Sequence, residues 1–140
     1  MPVAYMPSIW GVLIVDILRV CGLIFIAITF LQSGTDKLLD YKGNREYFTA
    51  HFKNSPLAKQ AAMLLPVITL LELASGLLAL AGIVFIFLGE PQTGALATVL
   101  ALFTLLCLFF GQRMAKAYAE AAGIVPYIIM VTLVLIAFNI

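Results

Sequence analysis

Residues 93–111 read TGALATVLALFTLLCLFFG, with no charged position among them. An α-helix rises about 1.5 Å per residue and a bilayer's hydrocarbon core is about 30 Å thick, so about 20 mostly apolar residues are needed to cross it. This stretch meets that length with nothing that water would solvate well. Three neighbouring stretches follow the same logic, and the predicted helices run over 9–33, 56–88, 93–111 and 119–139. From Ala121 onward the fourth is again free of charge. Composition agrees: 64% of the 140 residues are apolar and 11% charged, against about 25% charged in an ordinary soluble domain. A mean hydropathy of +1.11 leaves more apolar surface than a chain this short can bury in itself. The expectation is one all-α transmembrane domain over 1–140, a four-helix bundle with a polar connector at 34–55.

Punctuation supports these limits. Asn54-Ser55-Pro56 places a capping side chain before a proline at the first helical position. Gly89-Glu90-Pro91 stops the second helix, and Gly111 to Glu120 forms a short polar connector holding Gln112, Arg113 and Lys116. Pro126 falls near the start of the fourth helix, where it is tolerated or makes a kink. In the connector, Tyr47, Phe48, His51 and Phe52 recur at i, i+1, i+4 and i+5, with Arg45, Glu46, Thr49 and Lys53 on the other side. This is a short amphipathic helix. It either lies on the membrane surface or folds as a cap over the helix ends.

Lys37, Lys42, Arg45, Lys53 and Lys59 cluster around the first connector, and Arg113 and Lys116 occupy the third. Of the 8 Lys and Arg residues only Arg19 lies elsewhere. By the positive-inside rule both termini lie outside the cytoplasm, in a cell (inner) membrane crossed several times.

Several function classes are excluded. Net charge is +1, so no basic face calls for nucleic acid. The N-terminus lacks a basic region before its apolar stretch and an A-x-A site after it, unlike a cleaved signal. The single histidine, His51, rules out a bis-histidine haem within the chain and His-rich metal sites. Phosphate loops and nucleophile motifs are absent from the sequence. Cys21 and Cys107 form no ligand spacing and read as small buried hydrophobes. Ala74, Ser75, Gly76, Ala79, Ala81 and Gly82 suit close helix packing.

The candidate site is the set of charges within the spans: Asp16, Arg19 and Glu72. A charge at mid-membrane costs about 2.5–3.5 kcal/mol on the insertion scale and must find a partner or water. Arg19 precedes Gly34 by 15 residues, roughly 22 Å, and Glu72 follows Pro56 by 16, roughly 24 Å. The two could meet at one level, with Asp16 one turn from Arg19. Such a cluster is either an ion pair that fixes helix register or a polar site for a proton, a quinone headgroup or another polar ligand. Arg19 could also snorkel to the outer surface.

The run Arg19-Val20-Cys21-Gly22, then Phe30, then Ser33-Gly34-Thr35-Asp36-Lys37-Leu38, resembles the first segment of DoxX-like membrane proteins. Phe48, Phe52, Pro56, and Glu72 with Gly76 and Gly82 resemble the second, so the likeness covers about residues 19–82. It implies a four-helix membrane bundle in which Arg19, Lys37 and Glu72 match recurrent polar positions. The family includes a membrane subunit of thiosulfate oxidation that uses quinone as acceptor. The chain has no membrane cysteine pair for thiol–disulfide chemistry.

The expected role is an accessory subunit of a larger bioenergetic or redox membrane complex. It would contact lipids and other membrane subunits and bind no cofactor through its own side chains. The alternative is a quinone-linked oxidoreductase subunit of the thiosulfate-oxidising type, with a lipid-open cleft between the first two spans at Arg19 and Glu72. A small proton or solute conductor is a third reading, with only Pro66 hinting at the broken helix such proteins use.

Overall fold

A computed structural model describes residues 8, 9 and 12–140. Its elements in order are β1 (Ser8–Ile9), β2 (Val12–Leu13), α1 (Ile14–Leu39), α2 (Tyr41–His51), a 3₁₀ turn (Ala58–Gln60), α3 (Ala61–Phe87), α4 (Gln92–Met114) and α5 (Tyr118–Phe138). α1, α3 with its leading 3₁₀ turn, α4 and α5 are each long and apolar enough to cross a membrane. The chain is therefore an all-α, multi-pass membrane protein.

Helix limits differ from the expected ones where backbone groups find other partners. Ile9 does not open α1: β1 pairs antiparallel with β2, Ser8 opposite Leu13 and Ile9 opposite Val12. At its other end α1 runs through Ser33 and Gly34 to Leu39. A glycine costs a helix about 1 kcal/mol, and packing overrides that cost: a Cβ at Gly34 would sit 2.7 Å from Leu73 Cδ2. Asp40 separates α1 from α2 and caps α2, its carboxylate accepting from the Gly43 N–H at 3.2 Å. Asn54 does not cap α3. Ser55 Oγ accepts from the Leu57 N–H at 3.1 Å, the 3₁₀ turn follows, and α3 begins at Ala61. α4 passes Gly111 and ends at Met114.

Two helices stop in the same way. At the end of α3 the Glu90 N–H reaches Phe85 O (2.8 Å) and the Gly89 N–H reaches Ile86 O (3.0 Å), with Gly89 left-handed at φ 86°. These are the paired bonds of a Schellman motif. After α4 the Ala117 N–H reaches Gln112 O (2.9 Å) and the Lys116 N–H reaches Arg113 O (3.1 Å). Here the left-handed residue is Lys116, at φ 59°.

The spans form a ring in which α1 packs on α3, α3 on α4, α4 on α5 and α5 on α1, while α1 also touches α4 across the middle. Both faces of each span are apolar, and the inward faces combine small residues with large ones. Ala79, Ala97 and Ala101 are wholly buried beside Leu23, Ile26 and Phe30. Leu70, Leu77, Val84, Phe103, Phe110 and Leu133 face outward. Lipid tails are as apolar as leucine, so association relies on close backbone approach and hydrogen bonds between helices. A Cβ at Gly82 would lie 2.6 Å from Gly94 Cα, so the α3 and α4 backbones pass close to each other there. Ser75 Oγ and Thr104 Oγ1, 3.3 Å apart, add a buried hydrogen bond between the same helices.

Candidate functional site

The intramembrane charges separate into two groups at opposite ends of the bundle. Gly34 lies against Leu73, so Glu72 is level with the last turns of α1. Arg19, 15 residues before Gly34, is roughly 22 Å away along the helix. Arg19 and Glu72 therefore do not meet.

Glu72 pairs instead with Lys37. Helical side chains lean toward the helix N-terminus, so Lys37, in the last turn of α1, reaches back into the bundle. Its Nζ donates to Glu72 Oε2 at 3.1 Å, to Oε1 at 3.2 Å and to Ser33 Oγ at 2.8 Å. Glu72 is 1% exposed and the Lys37 side chain 13%. The ammonium's three hydrogens all have partners, as do both carboxylate oxygens. Backbone proximity allows this: Gly76 faces Leu31 and Gly34 faces Leu73, and a Cβ at either would come within 2.7 Å of the opposing leucine.

At the other end Arg19 ties α1 to the end of α5. Its Nη1 donates to Asp16 Oδ1 at 3.0 Å, its Nε to Ala137 O at 3.0 Å and its Nη2 to Ile140 O at 3.3 Å. The guanidinium also lies 5.4 Å from the centre of the Phe138 ring. A helix leaves its last carbonyls unsatisfied and carries partial negative charge there. Arg19 answers both, with Asp16 orienting it. Both groups are thus ion pairs with further hydrogen bonds, one between α1 and α3 and one between α1 and the end of α5.

The third arrangement lies on the α2 end. α2 packs on α3 and, more lightly, on α1. Phe52 is 6% exposed. His51 Nε2 lies 2.6 Å from Gln112 Oε1 of α4. The His51 ring stacks on Tyr47 (5.2 Å between centres, 16° between planes) and meets Phe52 edge-on (5.2 Å, 87°). Between α2, α3 and α4 is an apolar cavity of about 230 Å³. Phe48, Ile68, Leu71 and Cys107 are among its walls, with Gly111 and Gln112 at its α4 side.

Sequence reasoning named Tyr47, Phe48, His51 and Phe52 but gave them no partner. It missed Ser33, because Ser33-Gly34 read as the close of a helix. It missed Gln112, because Gly111 read as the end of another. Glu72, expected to line a cleft with Arg19, pairs with Lys37 and does not line the cavity. Cys21 is exposed on the outside of α1 and Cys107 is half-buried, so only Cys107 approaches the expected core position.

Fold and charge placement together define a small multi-pass membrane bundle whose intramembrane charges are internally paired. Comparison with protein-family models, with curated proteins and with solved structures gives no match.

Proposed function

We propose that this chain is an accessory, non-catalytic subunit of a larger membrane assembly of bioenergetic or redox type. One observation carries the reading. Among the described residues, no buried side-chain nitrogen or oxygen lacks a hydrogen-bond partner, and the intramembrane charges close on one another or on helix ends. In this reading the buried polar groups serve to hold helices together. The outer faces of α4 and α5, rich in leucine, isoleucine and phenylalanine, are left for lipid and neighbouring subunits.

The likeness of residues 19–82 to DoxX-like proteins is a second support, since Lys37 and Glu72 are two of the matched polar positions. The family's quinone-linked role is the alternative it implies, but Arg19 and Glu72 offer no shared cleft for it. In this reading the α2 end, which gathers Lys42, Arg45, Lys53, Lys59, Arg113 and Lys116, faces the cytoplasm, and the ends at Ile14 and Phe138 face away from it. Affinity purification of the tagged chain from native membranes in a mild detergent tests the role. Stoichiometric co-purification of other membrane chains is expected. Recovery of the free monomer alone would overturn it.

A further inference from the structure

We infer that the cavity between α2, α3 and α4 holds one acyl chain of an anionic phospholipid whose phosphate lies against Lys59 and Arg113. This is a specific site, beyond the general lipid contact that any span makes. It rests neither on the accessory role nor on the sidedness of the bundle.

The shape of the cavity follows from the helix period. Leu64, Val67, Ile68 and Leu71 line it from α3, at i, i+3, i+4 and i+7. That stripe runs along the helix for roughly 10 Å. Cys107, Phe110 and Gly111 line it from α4 at i, i+3 and i+4. One turn further in, the Ser75–Thr104 hydrogen bond joins the two helices. The cavity is thus a slot elongated along the spans, the direction in which a bilayer's own chains run. Its volume of about 230 Å³ is below the roughly 300–1,000 Å³ that encloses a drug-sized ligand. It takes part of one chain and not a whole lipid. Val67 and Phe110 are 51% and 55% exposed, which leaves a side entrance from the bilayer.

Charge then selects the head. No lining residue is Asp, Glu, Lys or Arg, as a hydrocarbon chain requires. Apart from the Cys107 thiol, the polar side chains of the lining are Tyr47, His51 and Gln112. They belong to α2 and to the end of α4, at the level where a phospholipid changes from chain to ester. Cations come next: Arg113 follows Gln112, and Lys59 lies two residues after Leu57, both exposed. The acidic residues of this end are Asp36, Asp40, Glu46 and Glu120. None pairs with Lys59 or Arg113, because the ion pairs among the described residues are Asp16–Arg19 and Glu72–Lys37. The Arg113 guanidinium lies 4.5 Å from the centre of the Tyr118 ring, which leaves its N–H edge for phosphate oxygens. Lys42, Arg45 and Lys53 instead share a groove with Glu46 on the polar face of α2. A zwitterionic head would bring its own cation to two unpaired ones. An acidic protein surface would answer the cations and leave the slot unfilled, whereas an anionic phospholipid answers both.

Native mass spectrometry of the full chain in mild detergent reads bound lipid directly. Phosphatidylglycerol is titrated in one arm and phosphatidylcholine with the same oleoyl chains in the other. Lys59→Gln/Arg113→Gln removes the inferred head contacts. Lys42→Gln/Arg45→Gln removes the same charge from the polar face of α2 and is its control. A Cβ at Gly111 would meet Phe52 Cζ at an ordinary 3.5 Å, so Gly111→Leu fills the slot without a backbone clash. A Cβ at Gly123 meets nothing within 4 Å, so Gly123→Leu is the matched control. Glycerophosphoglycerol, the same head without chains, serves as competitor.

One phosphatidylglycerol per chain is expected, bound roughly fivefold tighter than phosphatidylcholine or more, the scale of one cation beside an anionic head. Lys59→Gln/Arg113→Gln loses that preference and Lys42→Gln/Arg45→Gln keeps it. Gly111→Leu weakens both lipids, Gly123→Leu neither, and glycerophosphoglycerol competes poorly. If Gly111→Leu does not fold, the chain-free competitor decides whether the slot contributes. Equal affinity for the two lipids would overturn the inference and leave the cations to an acidic protein surface. Equal losses in the two charge variants, or full competition by glycerophosphoglycerol, would overturn it as well.

Discussion

At the scale of single residues, partners matter more than depth. Glu72 and Arg19 are both visible in the sequence as charges that need company in lipid. Depth counted from Gly34 and Pro56 paired them with each other, but helix ends set by packing separate them. Lys37, read as part of a polar turn, became the partner of Glu72 once Gly34 stayed helical against Leu73. Arg19 found backbone carbonyls, which no count of charged residues can reveal. Replacing Arg19 by Leu removes charge-assisted bonds to Ala137 O and Ile140 O and leaves Asp16 unpaired. A loss of about 2 kcal/mol is expected, read as a lower denaturation midpoint in detergent. Faster amide exchange confined to the end of α5 should accompany it. Arg19→Lys should recover little, because a point charge cannot fork between two carbonyls and a carboxylate.

Among the elements, the four spans were legible because 20-residue apolar runs have no other home. Their limits were less so. Gly111 reads as a stop, but α4 continues to Met114 and makes Gln112 a helical residue facing His51. The two faces of α2 were readable from period alone, whereas its seat on α3 was not, because surface and cap helices share one amphipathic pattern. The α4–α5 turn carries a testable cost. Lys116 holds a left-handed conformation at φ 59°, which costs an L-residue about 1–2 kcal/mol. Lys116→Gly relieves that strain but loses more backbone entropy on folding. A net gain of up to about 1 kcal/mol is expected, measured as a raised midpoint in the same detergent titration. By contrast Gly82→Leu should prevent folding, since even a Cβ there would lie 2.6 Å from Gly94 Cα.

For the whole molecule, apolar bulk fixed the membrane class but not the inward face. The close approach of α3 to its neighbours was hinted at only by the small residues of α3. Sidedness is open to labelling. With the native cysteines replaced, Asn54→Cys on the α2 end and Glu90→Cys on the opposite end should react with an impermeant maleimide from opposite sides of sealed vesicles. Asn54→Cys is expected on the cytoplasmic side, and reaction of both from one side would contradict the topology.

The central claim is that the buried charges hold the helices together. A double-mutant cycle on Lys37 and Glu72, followed by reversible denaturation in detergent, tests it most directly. Lys37→Met and Glu72→Gln should each destabilise, Lys37→Met by about 3–5 kcal/mol because it strands a buried carboxylate. The double variant should lose clearly less than the two singles added together. Strictly additive losses, or singles as stable as the wild type, would contradict the claim.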